Sequence, residues 1–333
     1  MELLRWGIVS AGKISHDFVT ALSTLPSDEH SVVAIAARDK SRAEEFAKLH
    51  EIPNAFGSYE ELAESKDIDV VYIGSINPQH FDIGMMMLEH GKHVLIEKPL
   101  CMNEKQAKKL ITYAERKKLF LMEAVWSRFF PAYQYIRKQI ASGVLGTIEE
   151  VNVSFGFDLM AVDRVQKKEL GGGTLLDLGI YTIQLCQWAF QEPPLTIKAT
   201  GELNADGVDL SIDGELHYSG SRVAKIQTSA KKLLENKAII KGSKGQITLP
   251  NFWCPTSIID IDGKQKEWVV PKGKQKTNFP NSEGLRYEAE EVRKCILDGK
   301  LQSEHMNHNE SLLVARIEDS IRKEIGVVYP EDE

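Results

Sequence analysis

The hydrophobic pattern of this chain changes character near residue 126. Before that point, short apolar runs at residues 6–9, 32–37, 70–73, 93–96 and 120–122 alternate with stretches of helical periodicity. Strands without polar alternation are buried on both faces. Strands separated by helices build a parallel sheet with right-handed crossovers. Ser41-Arg-Ala-Glu44, Ser58-Tyr-Glu-Glu61 and Asn103-Glu-Lys-Gln106 fit capping boxes and predict helix starts between the strands.

After residue 126 the pattern predicts a helix over 132–142 that stops at Gly143, an alternating strand over 148–157 and a long apolar helix over 174–190. Residues 197–270 hold short strands with Gly and Asn turns and predict hairpin-rich antiparallel sheet. Helices return over 282–297 and 309–325. The expected architecture is an α/β Rossmann domain with a parallel sheet over 1–125. An α+β domain with a large, mostly antiparallel open sheet follows over 126–333. So large a sheet with so few helices leaves one face open. That face predicts a homodimer, with Trp253 as a candidate anchor.

Composition adds exclusions. A chain of 333 residues exceeds what one core usually holds, in keeping with two domains. The net charge of -7 argues against a nucleic-acid partner. No apolar run is long enough to cross a membrane, and the first strand begins too early to leave room for a signal peptide. Cys101, Cys186, Cys254 and Cys295 lack metal-type spacing and read as buried thiols of a cytoplasmic protein. His305 and His308 have no third ligand nearby in sequence, so no metal is expected.

Candidate chemistry begins at the first strand-to-helix turn, Gly7-Ile-Val-Ser10-Ala-Gly12-Lys13-Ile14-Ser15. The dinucleotide fingerprint wants glycines at the places of Ser10, Gly12 and Ser15, and only the middle one is kept. That glycine lets the backbone approach a pyrophosphate, which would rest on free N–H groups at the helix start. The second strand ends Ala37-Arg38-Asp39-Lys40-Ser41-Arg42. An NAD enzyme usually carries an acidic residue at this strand end for the ribose hydroxyls, and here Arg38 holds the place. Arg38 and Arg42 are either a pair of surface arginines or a grip on a 2′-phosphate. The second reading predicts NADP. Asp39 would disfavour that phosphate if its side chain turned inward.

Glu97-Lys98-Pro99 ends a buried strand, and a lysine at such a strand end faces the crevice where ligands bind, unless it is a solvated loop lysine. Asp177 and Tyr181 are four apart in an apolar helical stretch and would share one face. Tyr181 is either a core tyrosine with a satisfied hydroxyl or a proton-transfer group. A lysine cation beside it would lower its pKa from the usual value of about 10.

Taken together, these residues resemble the Gfo/Idh/MocA oxidoreductase family. The resemblance runs from Trp6-Gly-Ile-Val-Ser10 to Ile325-Gly-Val-Val-Tyr-Pro330. It includes Pro78-Gln-His80, Glu97-Lys-Pro99, Phe120-Leu-Met-Glu-Ala124, Trp126, Arg128-Phe-Phe-Pro-Ala132, Asp177-Leu-Gly-Ile-Tyr181 and Trp253-Cys-Pro-Thr256. The Glu-Lys-Pro motif is family-wide. Tyrosine four after the aspartate is more selective, since many relatives carry histidine there. Within the family the motifs lie closest to dimeric enzymes that oxidise trans-dihydrodiols and D-xylose with NADP. The resemblance implies that Lys98 and Tyr181 are the catalytic pair, supported by Asp177. It implies cofactor contacts from Ser10, Gly12, Lys13, Ile14, Arg38, Arg42, Glu97 and Lys98, and substrate contacts from His80, Trp126, Phe155 and Phe279. Asn77 departs from the polar aromatic residue expected before Pro78, which bears on substrate preference. Two alternatives stay open: an NADPH-dependent reductase of dicarbonyls or keto-sugars, and a non-catalytic nucleotide-sensing regulator on the same scaffold.

Overall fold

A computed structural model describes residues 3–333. They form two compact units. The first holds the residues up to Leu100 together with Lys105–Trp126 and Val270–His308, and the second holds Cys101–Glu104, Ser127–Val269 and Asn309–Glu333.

The first unit is built on six strands: β1 (Leu4–Val9), β2 (His30–Ala36), β3 (Asn54–Phe56), β4 (Val70–Ile73), β5 (His93–Glu97) and β6 (Leu121–Ala124). All pair in parallel, in the order β3-β2-β1-β4-β5-β6. Ile8, Val9, Ile35, Val71, Ile73, Leu95 and Ile96 are fully buried, the two-sided burial that their apolar runs demanded. β3 has no such run: it is three residues long, sits at the sheet edge and starts on the exposed Asn54. The order of strands reverses between β1 and β4. In an open parallel sheet the crevice for a ligand forms outside the strand ends at that reversal.

Two helix starts show how local chemistry was resolved. Ser58 caps the helix Tyr59–Glu64 by accepting from Glu61 N, as its box predicted. The helix Lys40–His50 begins two residues earlier than a Ser41 cap would start it. Asp39 is its cap, accepting from Ser41 N at 2.9 Å and Ser41 Oγ at 2.6 Å. The single division expected at residue 125 differs from the observed grouping for a physical reason. The amphipathic helix Leu285–Leu297 buries Leu285, Ala289 and Val292, and packs on the helix Lys13–Leu22 of the first unit.

The second unit contains β7 (Ile148–Gly156), β8 (Thr196–Leu203), β9 (Asp209–His217), β10 (Val223–Ser229), β11 (Lys237–Gly242), β12 (Gly245–Pro250), β13 (Ser257–Ile259) and β14 (Gln265–Glu267). The sheet order is β14-β13-β12-β11-β7-β10-β9-β8, antiparallel except between β7 and β10. Its inner face carries Val151, Val153, Phe155, Ile212, Leu216, Ala224, Ile226 and Ile240, all buried, and the helix Ile180–Phe190 packs on it through β7 and β10. Every residue of that helix is buried. The opposite face is polar. One cross-strand row reads Ile239, Asn152, Lys225, Glu215 and Lys198, so charges of opposite sign stand side by side. Trp253, expected as a dimer anchor, is only 9% exposed and packs against Phe155, Phe157 and Phe252 within its own unit, so it presents no anchor at the surface. Among the described residues no helix is long and apolar enough to cross a membrane.

Candidate active site

The first turn departs from the dinucleotide fingerprint in sequence but keeps its backbone. Ser10 adopts φ 77°, the left-handed conformation that a glycine would take there. The helix Lys13–Leu22 follows with Gly12 as its N-cap, no side-chain cap bond and no acidic residue in its first turn. Its first N–H groups, from Lys13 and Ile14 onward, are therefore open to an anion. A Cβ on Gly12 would meet only ordinary contacts at 3.7 Å from Gly74 O and Ser10 Oγ. The protein's own packing does not require glycine at this place, whereas a closely approaching pyrophosphate does. The turn thus fits a nicotinamide dinucleotide.

Arg38 and Arg42 are exposed at the end of β2, and Arg42 Nη2 donates to Ala11 O at 3.2 Å, which ties it to the same turn. Asp39 does not compete with them for a phosphate. Its carboxylate is engaged by Ser41, whose hydroxyl and N–H hold it below the ordinary aspartate range. Tyr59 completes this corner and was not anticipated. It is half-buried; burial raises its pKa, while the nearby Arg38 and Arg42 charges pull it down.

Lys98 follows β5 directly and is joined to Pro99 by a cis peptide bond. The Glu97 side chain turns inward, accepting from Tyr72 Oη at 2.5 Å. Burial raises its pKa above the usual carboxylate value, against the pull of the Tyr72 hydroxyl and the Lys98 cation. Glu288 lies within reach of its charge and is fully buried, with no hydrogen-bond partner for either carboxyl oxygen. Burial, and then the Glu97 charge, push Glu288 well above the ordinary range, so the protonated acid is the form this core accommodates. His80, expected as a substrate contact, is fully buried. Its Nδ1 lies 2.7 Å from Pro99 O and its Nε2 3.0 Å from Ser75 O. In that position it braces the Lys98–Pro99 turn. Burial lowers its pKa, opposed by these two carbonyls.

Phe279 is 39% exposed on a segment secured to the helix Lys13–Leu22. Asp17, buried on that helix, accepts from Phe279 N, Asn278 N and Asn278 Nδ2 at 2.8–2.9 Å. Nothing in the spacing of the sequence announces that clamp between residues 17 and 279. Trp126, the last residue of the first unit's Lys105–Trp126 segment, is 4% exposed.

In the second unit the helix expected over 174–190 is two structures: a π-turn, Leu175–Gly179, and then the α-helix Ile180–Phe190. Such insertions recur at functional sites. Asp177 lies inside the π-turn, so the four-residue step to Tyr181 is not a regular α-helical one. The Asp177 carboxylate accepts from Arg164 Nη1 at 2.8 Å. Arg164 sits on a short helix, Asp163–Gln166, and the sequence offered no signal for this pairing. Tyr181 is 8% exposed and meets Phe155 edge-to-face, with ring centroids 5.6 Å apart. Phe155 is itself packed by Phe157, Phe252 and Trp253, so the tyrosine stands on a rigid aromatic base. Lys98, Glu97, Ser10, Gly12, Arg38, Arg42, His80, Trp126 and Phe279 thus belong to the first unit, and Asp177, Tyr181 and Phe155 to the second.

Residues 4–125 match the oxidoreductase family with an NAD-binding Rossmann fold, and residues 133–248 match the GFO/IDH/MocA C-terminal domain. A Danio rerio protein named trans-1,2-dihydrobenzene-1,2-diol dehydrogenase is 48% identical over 331 residues, 99% of each chain. Among solved structures, a levoglucosan dehydrogenase complexed with NADH and levoglucosan superposes with a TM-score of 0.85 at 20% identity, covering 97% of each chain. A 3-ketoreductase from Actinomadura kijaniata with NADP and TDP-benzene gives a TM-score of 0.82 at 23% identity, covering 97% of this chain and 98% of that one. At such identities these two structures show a shared fold.

Proposed function

Because this chain belongs to the Gfo/Idh/MocA oxidoreductase family, we propose that it is an NADP-dependent dehydrogenase of trans-dihydrodiols of the trans-1,2-dihydrobenzene-1,2-diol type and of pyranoses such as D-xylose. One observation carries the reading: the 48% identity over 99% of both chains with a relative named for dihydrodiol oxidation. A dinucleotide held at the turn of residues 10–14 would supply the hydride acceptor. Tyr181 exchanges the proton of the substrate hydroxyl, and Lys98 supplies positive charge where negative charge develops. Asp177 supports the pair, and Arg164 fixes its carboxylate. Trp126, Phe155 and Phe279 offer ring faces to a small cyclic diol. His80 acts through the turn that it braces.

The test is a set of oxidation assays with NADP and with NAD across trans-dihydrodiols, D-xylose and straight-chain alcohols, with dicarbonyl reduction as the reverse arm. Oxidation of cyclic diols and D-xylose is expected, and ethanol or butanol should be poor because they fill little of an aromatic site. Good activity on butanol with none on any cyclic diol would overturn the substrate reading. NADP preference rests on Arg38 and Arg42, so Arg38→Ala should weaken NADP by roughly 10- to 100-fold and NAD far less. Equal or better catalytic efficiency with NAD in the unaltered protein contradicts this assignment.

The second-unit sheet is proposed to pair with a second copy of itself. Its row of Lys225, Glu215 and Lys198 alternates in sign, which lets the face complement itself about a two-fold axis. Light scattering at micromolar concentration should give a dimer mass that falls as salt is raised, since exposed charges are screened. A monomer mass at low salt rules the pairing out.

A further inference from the structure

Residues 273–279 lie along the helix Lys13–Leu22, and both belong to the first unit. The segment descends the helix from its C-terminal end to its first turn. A Cβ on Gly273 would come within 2.5 Å of Thr20 Cγ2 and 2.7 Å of Thr20 O, so the two backbones touch there. Lys274 N donates to Ser23 Oγ at 3.0 Å, and Lys276 O lies 3.0 Å from His16 Nε2. Asp17 makes the last tie. Its Oδ1 accepts from Asn278 N and Asn278 Nδ2, both at 2.8 Å, and its Oδ2 accepts from Phe279 N at 2.9 Å. Asn278 Nδ2 also reaches Lys13 O at 3.3 Å. Asp17 is fully buried, and both of its oxygens accept from this segment. Hydrogen bonds to a carboxylate are stronger than those between neutral groups.

Phe279 depends on such a hold. Its ring is 39% exposed, so core packing does not fix its place. Its backbone is fixed from both sides instead. Asp17 takes the N–H groups of residues 278 and 279, and Pro280 confines residue 279 to extended conformations. A backbone fixed in this way sets the direction of the Cα–Cβ bond, and with it the ring. We propose that Asp17 is a positioning residue for the substrate site: its carboxylate holds Asn278 and Phe279 so that the Phe279 ring stands where a cyclic diol meets it. This inference rests on the reading above that Phe279 contacts substrate, and adds a residue that no sequence motif marks.

The experiment is a double-mutant cycle in steady-state kinetics of the full chain with NADP and a trans-dihydrodiol. Asp17→Asn keeps the shape, but its amide NH2 must face a donor where an oxygen stood. It should raise KM for the dihydrodiol about tenfold, with kcat nearly unchanged. NADP affinity, measured by fluorescence titration, should stay the same, because the N–H groups at the helix start are untouched. Phe279→Ala should raise KM at least as much. The double variant should show no rise beyond that of Phe279→Ala alone, since Asp17 acts through that ring. A merely structural role would lower the urea midpoint without this dependence on Phe279. Effects that multiply, or an unchanged KM in Asp17→Asn, overturn the proposal. If Asp17→Asn fails to fold, Asn278→Ala takes its place. That side chain is exposed, and its loss removes the Nδ2 bonds while both backbone bonds to Asp17 remain. It should raise KM about threefold, again only while Phe279 is present, and no rise overturns the proposal. A chain that oxidises no trans-dihydrodiol ends the proposed function and this inference with it. If the chain is active and Phe279→Ala leaves KM unchanged, Phe279 is no substrate contact. This inference then falls while the dehydrogenase reading stands.

Discussion

Tyr181→Phe is expected to bind NADP as the unaltered chain does and to turn over a dihydrodiol at least about 100-fold more slowly, the range in which a general acid or base contributes. The substitution removes one oxygen and leaves the packing intact. The ring keeps its edge-to-face contact with Phe155, and the bond from Gln184 Nε2 goes to the backbone carbonyl of residue 181, which the change does not touch. The phosphate turn belongs to the first unit and is built from other residues. Cofactor affinity by fluorescence and kcat by absorbance of the reduced nicotinamide separate the two effects. Lys98→Met, which removes charge and little volume, should be similarly impaired. If Tyr181→Phe kept more than about a tenth of the activity, the proton would pass through another group, because general acid-base catalysis accounts for far more than that.

Gly173→Ala should cost about 3 kcal/mol or more of folding stability, and the loss should spread to activity. Gly173 has φ 109°, a conformation closed to residues with a Cβ, and a methyl there would come within 2.5 Å of Asp209 Oδ1 and 3.0 Å of Tyr329 Oη. Asp209 cannot yield cheaply. It is fully buried, and its other oxygen accepts from Thr174 Oγ1 at 2.6 Å and Leu175 N at 2.8 Å, the bonds that start the π-turn. Burial raises its pKa and those donors oppose the rise, so the carboxyl depends on them. Displacing Asp209 would disturb the turn that carries Asp177 four residues beyond the glycine. Urea unfolding should show a lower midpoint. An unchanged midpoint would mean that the loop relaxes freely around the added methyl and that Asp209 is not displaced.

Much of this protein could be read along the chain because periodicity encodes burial locally. The apolar runs gave β1, β2, β4, β5 and β6, the helix at 174–190 was found as a buried segment, and Ser58 capped as its spacing required. Glu97, Lys98, Asp177 and Tyr181 stood out as residue types in motifs, with their roles resting on a family resemblance. What escaped depended on partners distant in sequence or on competition between equally plausible local choices. β3 is too short and too polar to carry a period, and exists because β2 offers it an edge. Asp39 displaced Ser41 as a cap because its carboxylate could take both the N–H and the hydroxyl of Ser41. Trp253 looked like an interface residue and was claimed by Phe155, 98 positions away in the numbering. Arg164 on Asp177 and Asp17 on the Phe279 segment join residues whose proximity no local pattern states. The sequence alone therefore determined which stretches must be buried and which residue types could do chemistry. Only the tertiary structure decided which side chains those residues meet, because a partner's distance in space is set by the packing of whole elements.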